Sequence, residues 1–211
     1  MKSKILHTFT ILLLFTFSSK AQIQTGKILL GGSASYNNAT NPDAHAFYSN
    51  LQLGKVLKHN TVFGVMLHYS SNNYNYTASF RNKTRTIGGG LFYRNYKSLG
   101  HNFYFFGEIN ADYSHGNNDL AYFSAAGQYL TAKSDLVSIY VIPGISYSIC
   151  KKMQMELSMP NIASISYQQF STVNKYLPVS VQPQKRNIFS ANANLSTTFL
   201  SNFAIGFKFF L

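Results

Sequence analysis

Two residue pairs in this sequence have types suited to acid–base or nucleophilic work: the carboxylates Glu108 and Asp112, and His68 with Ser70. Both pairs lie in stretches where apolar and polar residues alternate singly, the signature of extended chain. On a strand, Glu108 and Asp112 share a face but stand about 13 Å apart at ~3.3 Å per residue. Paired glycosidase carboxylates stand about 5–9.5 Å apart, so this pair is set aside. His68 and Ser70 also share a face, with no acidic residue close behind to orient the histidine. The other histidines of the body of the chain, His45, His59, His101 and His115, show no metal-ligand spacing, and the single cysteine, Cys150, offers neither a ligand cluster nor an internal disulfide. Gly31-Gly32 and Gly88-Gly89-Gly90 interrupt alternating runs, where they make room for neighbours or bends and do not form phosphate loops. No catalytic, cofactor-binding or metal-binding set is expected, and no enzyme.

The elements that would position these residues dominate the chain. Apolar residues make up 45% and aromatics 16%, while only 11% are charged, against roughly 25% in a soluble domain. After residue 21 no apolar stretch is long enough for a spanning helix. Segment 103–115 sets Phe103, Phe105, Gly107, Ile109, Ala111 and Tyr113 on one face against Tyr104, Phe106, Glu108, Asn110, Asp112 and Ser114. Segments 137–149 and 153–167 alternate in the same way. The pattern predicts eight strands at about 27–37, 46–57, 61–71, 84–96, 102–116, 133–149, 153–168 and 188–211. Short connectors at 58–60, 97–101 and 150–152 alternate with longer ones at 38–45, 72–83, 117–132 and 169–187. That sorting is characteristic of bacterial outer-membrane barrels. The fold class is therefore all-β, a closed antiparallel transmembrane β-barrel of eight strands, with ten the alternative; a turn at Ser201-Asn202 would give a further strand. One unbroken strand over 189–211 is favoured because its phase never slips. Pro143 and Pro160 lie inside predicted strands and are read as bulges or bends.

Eight strands enclose a space that side chains can fill. The expected lumen network comprises Arg94, Glu108, Asp112, Glu156 and Lys208, with Gln52, His68 and Asn110 on the same inner face. Tyr74, Tyr76, Tyr122, Phe123, Tyr129 and Tyr176 fall in the long connectors, as loop tips and an upper aromatic girdle or as a recognition surface outside the cell. The chain begins with Lys2 and Lys4, an apolar run from Ile5 to Phe17, and Ser18-Ser19-Lys20-Ala21. This reads as a signal peptide over 1–21, leaving the barrel domain at 22–211. Without Lys2, Lys4 and Lys20 the formal charge falls from +12 to +9. The basic residues are scattered, which fits anionic lipid headgroups or surface polysaccharide better than nucleic acid, and no nucleic-acid partner is expected.

The phrases Gly88-Gly89-Gly90-Leu91-Phe92-Tyr93-Arg94-Asn95-Tyr96 and Ile142-Pro143-Gly144-Ile145-Ser146-Tyr147, with the terminal Gly206-Phe207-Lys208-Phe209-Phe210-Leu211, resemble the small outer-membrane β-barrel family of OmpX, the OmpA membrane domain and opacity-type, porin-like proteins. The resemblance implies residence in the outer membrane of a Gram-negative cell, among its lipid and lipopolysaccharide. It also implies assembly by the barrel-insertion machinery, which reads a last-strand signal similar to this terminus, although Leu211 stands where an aromatic usually ends it. An extracellular ligand or surface partner would bind through the loops. The expected function is structural or surface interaction around a side-chain-filled lumen. The alternative is a narrow small-solute channel of the OmpW kind. A more distant one rests on His68-Tyr69-Ser70-Ser71-Asn72, which resembles the His-x-Ser-Asn phrase of lipid A deacylases with a second serine where the Asn should stand.

Overall fold

A computed structural model describes residues 23–40, 43–77, 80–122, 128–159, 162–174, 184–193 and 204–211. The expected signal peptide, Phe123, Pro160 and Tyr176 lie outside these residues. The described chain forms β1 (Ile28–Thr40), β2 (Asp43–Lys58), β3 (Thr61–Thr77), β4 (Phe80–Gly100), β5 (Phe103–Tyr122), β6 (Gln128–Cys150), β7 (Met153–Ser158), β8 (Ala163–Asn174), β9 (Gln184–Ala193) and β10 (Ala204–Phe210). Neighbours from β1 to β6 pair antiparallel in sequence order. Then β6 pairs β7, β7 pairs β10, and β10 pairs β1 from Leu29↔Phe210 to Ser33↔Gly206. Eight strands thereby close a ring, and β8, paired with β6, and β9, paired with β8, extend the wall above β7 and β10.

Tight turns join β2 to β3, β4 to β5 and β6 to β7. The first two rest on residues that tolerate a left-handed backbone: Asn60 at φ 64°, Asn102 at φ 68° and Gly100 at φ 89°. At the other end, the expected long loops are largely strand. The hairpins β1–β2 and β5–β6 continue in register to Thr40↔Asp43 and Tyr122↔Gln128, and β3–β4 continues to Thr77↔Phe80 with a register shift between Asn75 and Thr77. These Asn- and Ser-rich ends hide the strand from a reading of hydrophobic alternation, because both faces are polar while the backbone ladder is indifferent to side-chain type.

The last two expected strands are each divided. Along β6 the ladder steps three residues, from Val141 to Gly144, while the facing side steps five, from Ala163 to Ser158. The facing side thus has an excess of two residues between Ser158 and Ala163. Across the next pair, Ser158 to Ala163 spans five residues and Ala204 back to Ala193 spans eleven. The expected unbroken strand over 189–211 is therefore β9 and β10 with six surplus residues between them, in a segment lying outside the described residues. Both surpluses are even. The alternation of faces survives each of them, which is why the sequence reads as uninterrupted. Pro143 sits within β6 where its partner changes from β8 to β7, a position where its missing N–H costs no ladder bond, and its carbonyl accepts from Met159 N at 2.9 Å.

The two faces differ sharply. Outward, each strand of the ring presents a large apolar residue: Leu30, Leu53, Leu67, Leu91, Ile109, Ile139, Leu157 and Ile205, between 40% and 64% exposed. Inward, toward the tight turns, Leu29, Val56, Val62, Phe92, Phe106 and Phe210 pack as a buried apolar core that Ile23 joins from the segment before β1. Phe92 and Phe106 fit because their cross-strand partners are Gly64 and Gly144. A Cβ on Gly144 would also lie 2.7 Å from the Leu157 carbonyl oxygen.

One glycine gives a direct test of this packing. A Cβ on Gly90, which faces inward, would stand 2.6 Å from Asp112 Cα, a backbone atom that cannot swing aside, whereas Gly107, which faces outward, has nothing within 4 Å. Gly90→Ala is expected to lower the urea midpoint by an overpacking cost of about 1–3 kcal/mol. Gly107→Ala should leave it in place. Equal effects would show that the inner face is not close-packed at β4.

Candidate functional site: the polar lumen

Above the apolar core, the inward positions of β2, β4, β5, β7 and β10 bring a charged cluster together. Arg94 and Glu108 are direct cross-strand partners on β4 and β5. Arg94 Nε and Nη2 each lie 2.6 Å from Glu108 Oε2, and Nη1 lies 2.5 Å from Glu156 Oε1 on β7. Nη1 also donates to Tyr96 OH at 2.9 Å, and Nη2 to Gln52 Oε1 at 3.3 Å. The guanidinium carries five N–H donors, and this set of acceptors occupies them. Its plane lies over Phe106, with Cζ 4.3 Å from the ring centroid.

The carboxylates are equally well held. Glu108 accepts from Gln52 Nε2 at 3.0 Å and from Asn110 Nδ2 at 2.9 Å. Glu156 Oε1 accepts from Tyr96 OH at 3.0 Å. Lys208 Nζ donates to Gln52 Oε1, and it stands 3.8 Å from Glu156 Oε2. All of these groups are at most 5% exposed. A buried ion pair with its hydrogen bonds satisfied is tolerated, and removing one partner strands the other in low dielectric.

Of the five residues singled out from sequence, the structure thus joins Arg94, Glu108, Glu156 and Lys208. Asp112 stands apart from them. It accepts from Ser138 Oγ and lies 3.6 Å from His68 Nε2. Strand parity gives the face of a residue but not its height, and Asp112 is four residues further along β5 than Glu108. Among the described residues no hydrogen bond joins His68 to Ser70. Tyr96 is a member of the cluster that sequence reasoning missed, because an aromatic near a strand end reads as girdle. Gln154 was missed too. Its side chain links Ser146 at 3.1 Å and Ser148 at 3.0 Å nearer the turns.

Space for the cluster comes from glycine. Lys208 faces Gly31, His68 faces Gly88 and Asp112 faces Gly90 as direct cross-strand partners. A Cβ on Gly31 would run into the Lys208 side chain, with Nζ 2.8 Å away. The small and large inner residues therefore interlock in pairs.

Over this floor lies a cavity of about 420 Å³, bounded below by Gln52, Arg94, Glu108, Glu156 and Lys208. Its walls are inward residues of β1, β2, β6, β7, β8 and β10. Beyond the outward apolar residues, on the side of the long hairpins, His115 Nδ1 lies 2.8 Å and Tyr113 OH 2.6 Å from Asp135 Oδ1. The hydrogen bond with His115, and then that with Tyr113, holds the Asp135 carboxyl below its ordinary range. Among the described residues, no group of three or more His, Cys, Asp and Glu side chains is placed to hold a metal ion.

No family model matches the chain, and no curated protein does. Its structure is similar to that of a major outer membrane protein from Thermus thermophilus, at 9% identity and a TM-score of 0.47, covering 89% of this chain and all of that one. Neisserial surface protein A matches at 12% identity and a TM-score of 0.35, over 87% and 94% of the two chains. The translocator domain of the autotransporter NalP from Neisseria meningitidis matches at 10% identity and a TM-score of 0.39, over 88% of each.

Proposed function

We propose that the chain is an integral outer-membrane β-barrel with a structural or surface-interaction role, exported behind its signal peptide, whose lumen is closed to the passage of solutes. The observation that carries the membrane reading is the belt of large apolar residues, one from every strand of the closed ring, facing outward. In water such a belt would drive association. In a bilayer it is the solvent-matched surface. The outward run on β5 from Phe103 to Tyr113 fits the roughly 9–11 residues of a tilted spanning strand.

Two layers in series support the closed lumen. Below lies the apolar core with its aromatic contacts, Tyr96 to Phe106 at 5.9 Å and Tyr96 to Tyr104 at 6.3 Å. Above lies the cluster around Arg94. The hairpins that project beyond the belt are ordered strands carrying Asn, Ser and Tyr, which supports a display role at the cell surface. A second reading, a narrow small-solute channel, is favoured by the cavity, which already occupies the upper lumen.

Planar-bilayer recording of the refolded protein separates the two. No discrete conductance steps are expected, and reproducible single-channel steps would overturn the closed lumen. The orientation has its own test. A protease site inserted at Ala125 should be cut on intact cells, while one beside Lys97 should resist. The reverse pattern would place the tight turns outside.

A further inference from the structure

The upper lumen carries one ion pair that is built unlike the others. Arg94 meets its two carboxylates at 2.6 and 2.5 Å, with every donor engaged. Lys208 and Glu156 face each other at 3.8 Å, beyond hydrogen-bonding distance. An ammonium has three donors, and among the described residues Gln52 takes one of those on Lys208. Glu156 Oε1 is engaged by Arg94 and Tyr96, while no hydrogen bond among the described residues reaches Oε2. A positive and a negative group thus stand side by side, each with bonding capacity left over, and both line the cavity.

The rest of the cavity suits the same kind of occupant. Ser33, Ser164 and Ser166 bring hydroxyls to its walls, as do Tyr48 and Tyr140. Leu136, Ile142 and Met159 supply an apolar side. Asn50 also lies on the wall. The volume, about 420 Å³, falls within the roughly 300–1,000 Å³ of small-molecule pockets. With the floor closed as proposed, the cavity is a dead end, which suits retention and not transit.

We infer that the upper lumen is a binding pocket for a small zwitterion of the α-amino acid or dipeptide class. The ligand carboxylate meets the Lys208 ammonium and its ammonium meets Glu156 Oε2, an antiparallel pairing of two dipoles with similar charge separation. The side chain of the ligand lies against Leu136, Ile142 and Met159, and its amide or hydroxyl groups meet the seryl and tyrosyl hydroxyls. This assignment rests on the closed floor of the proposed function, and the two are tested separately.

The test is equilibrium dialysis of radiolabelled L-alanine, L-serine and L-alanyl-L-alanine against the folded full chain in detergent micelles. At least one of the three is expected to bind saturably, one per barrel. Its N-acetylated and esterified forms should bind at least about tenfold more weakly, each lacking one charge. Ser164→Leu with Ser166→Leu, which fills the cavity without touching the floor, should abolish binding and leave the unfolding midpoint unchanged. Lys208→Met should abolish it as well. The serine variant keeps the test decisive if loss of the lysine also impairs folding. Absence of saturable binding for all three at concentrations on the order of 100 mM, equal binding of the blocked forms, or binding that survives the leucines would overturn the pocket. Conductance steps in a protein that nevertheless binds would remove the closed floor and leave the pocket standing.

Discussion

Arg94→Met is expected to be among the most damaging single substitutions in the barrel, lowering stability by about 3–5 kcal/mol as breaking a buried ion pair does. The methionine fills most of the space over Phe106, so the cost is electrostatic and not one of packing. It leaves Glu108 and Glu156 buried, with Lys208 the remaining cation of the cluster and 3.8 Å from Glu156. Neutral hydrogen bonds from Gln52, Asn110 and Tyr96 persist but do not replace a charge. The measurement is the urea midpoint of the refolded protein, followed by circular dichroism. Adding Glu108→Gln to the arginine variant should recover a substantial part of the loss, because the one remaining carboxylate, Glu156, then balances Lys208. A midpoint unmoved by Arg94→Met would mean that water reaches the cluster, and the closed lumen would fall with it.

The second large effect belongs to the outer surface. Ile109 sits at the middle of the outward run on β5, between Tyr93 on β4 and Val141 on β6. If that surface faces hydrocarbon, Ile109→Arg should cost about 2–4 kcal/mol, as cationic substitutions near the midplane of a barrel do. Gln169→Arg is the matched control. It faces outward beyond the belt, directly across from Asp135, where a cation is welcome. The folded, inserted fraction is read as heat-modifiable migration on a gel. Ile109→Arg should deplete it strongly and Gln169→Arg should not. A barrel standing in water would respond in the opposite sense, since an exposed isoleucine replaced by arginine gains solubility there, and that outcome would remove the membrane from the reading.

How much of this was legible beforehand depends on what a periodic pattern encodes. The alternation along 103–115 gave both the strand and its faces, because an outward Ile109 and an inward Glu108 have opposite solvents. The same alternation brought Arg94, Glu108, Glu156 and Lys208 to the inner face without any knowledge of their contacts. It was silent on height, so Asp112 was grouped with a cluster it does not touch. It was silent on ladders beyond the belt, where Asn72, Asn73 and Asn75 pair as strand with no apolar face to betray them. It concealed the surplus residues between Ser158 and Ala163 and between Ala193 and Ala204, because a surplus of even length restores the pattern on its far side. Tyr96 was hidden for another reason: its ring packs with Phe106 while its hydroxyl joins Glu156, and composition cannot separate that use from a girdle.

The pairing of inward glycines with bulky partners bears on how the barrel reaches one arrangement during assembly. A slip of one residue between neighbouring strands turns every side chain to the wrong solvent and is rejected by the hydrophobic alternation alone. A slip of two residues is invisible to that filter, since every residue keeps its face. It would, however, carry Lys208 from its place opposite Gly31 to one opposite Leu29 or Ser33, and Phe106 from Gly144 to Ile142 or Ser146. Bulk would then meet bulk on the inner wall at some positions while glycine met nothing at others. The glycines thus proofread the class of mistakes that alternation lets through, and each marks a seam at which neighbouring strands admit a single alignment.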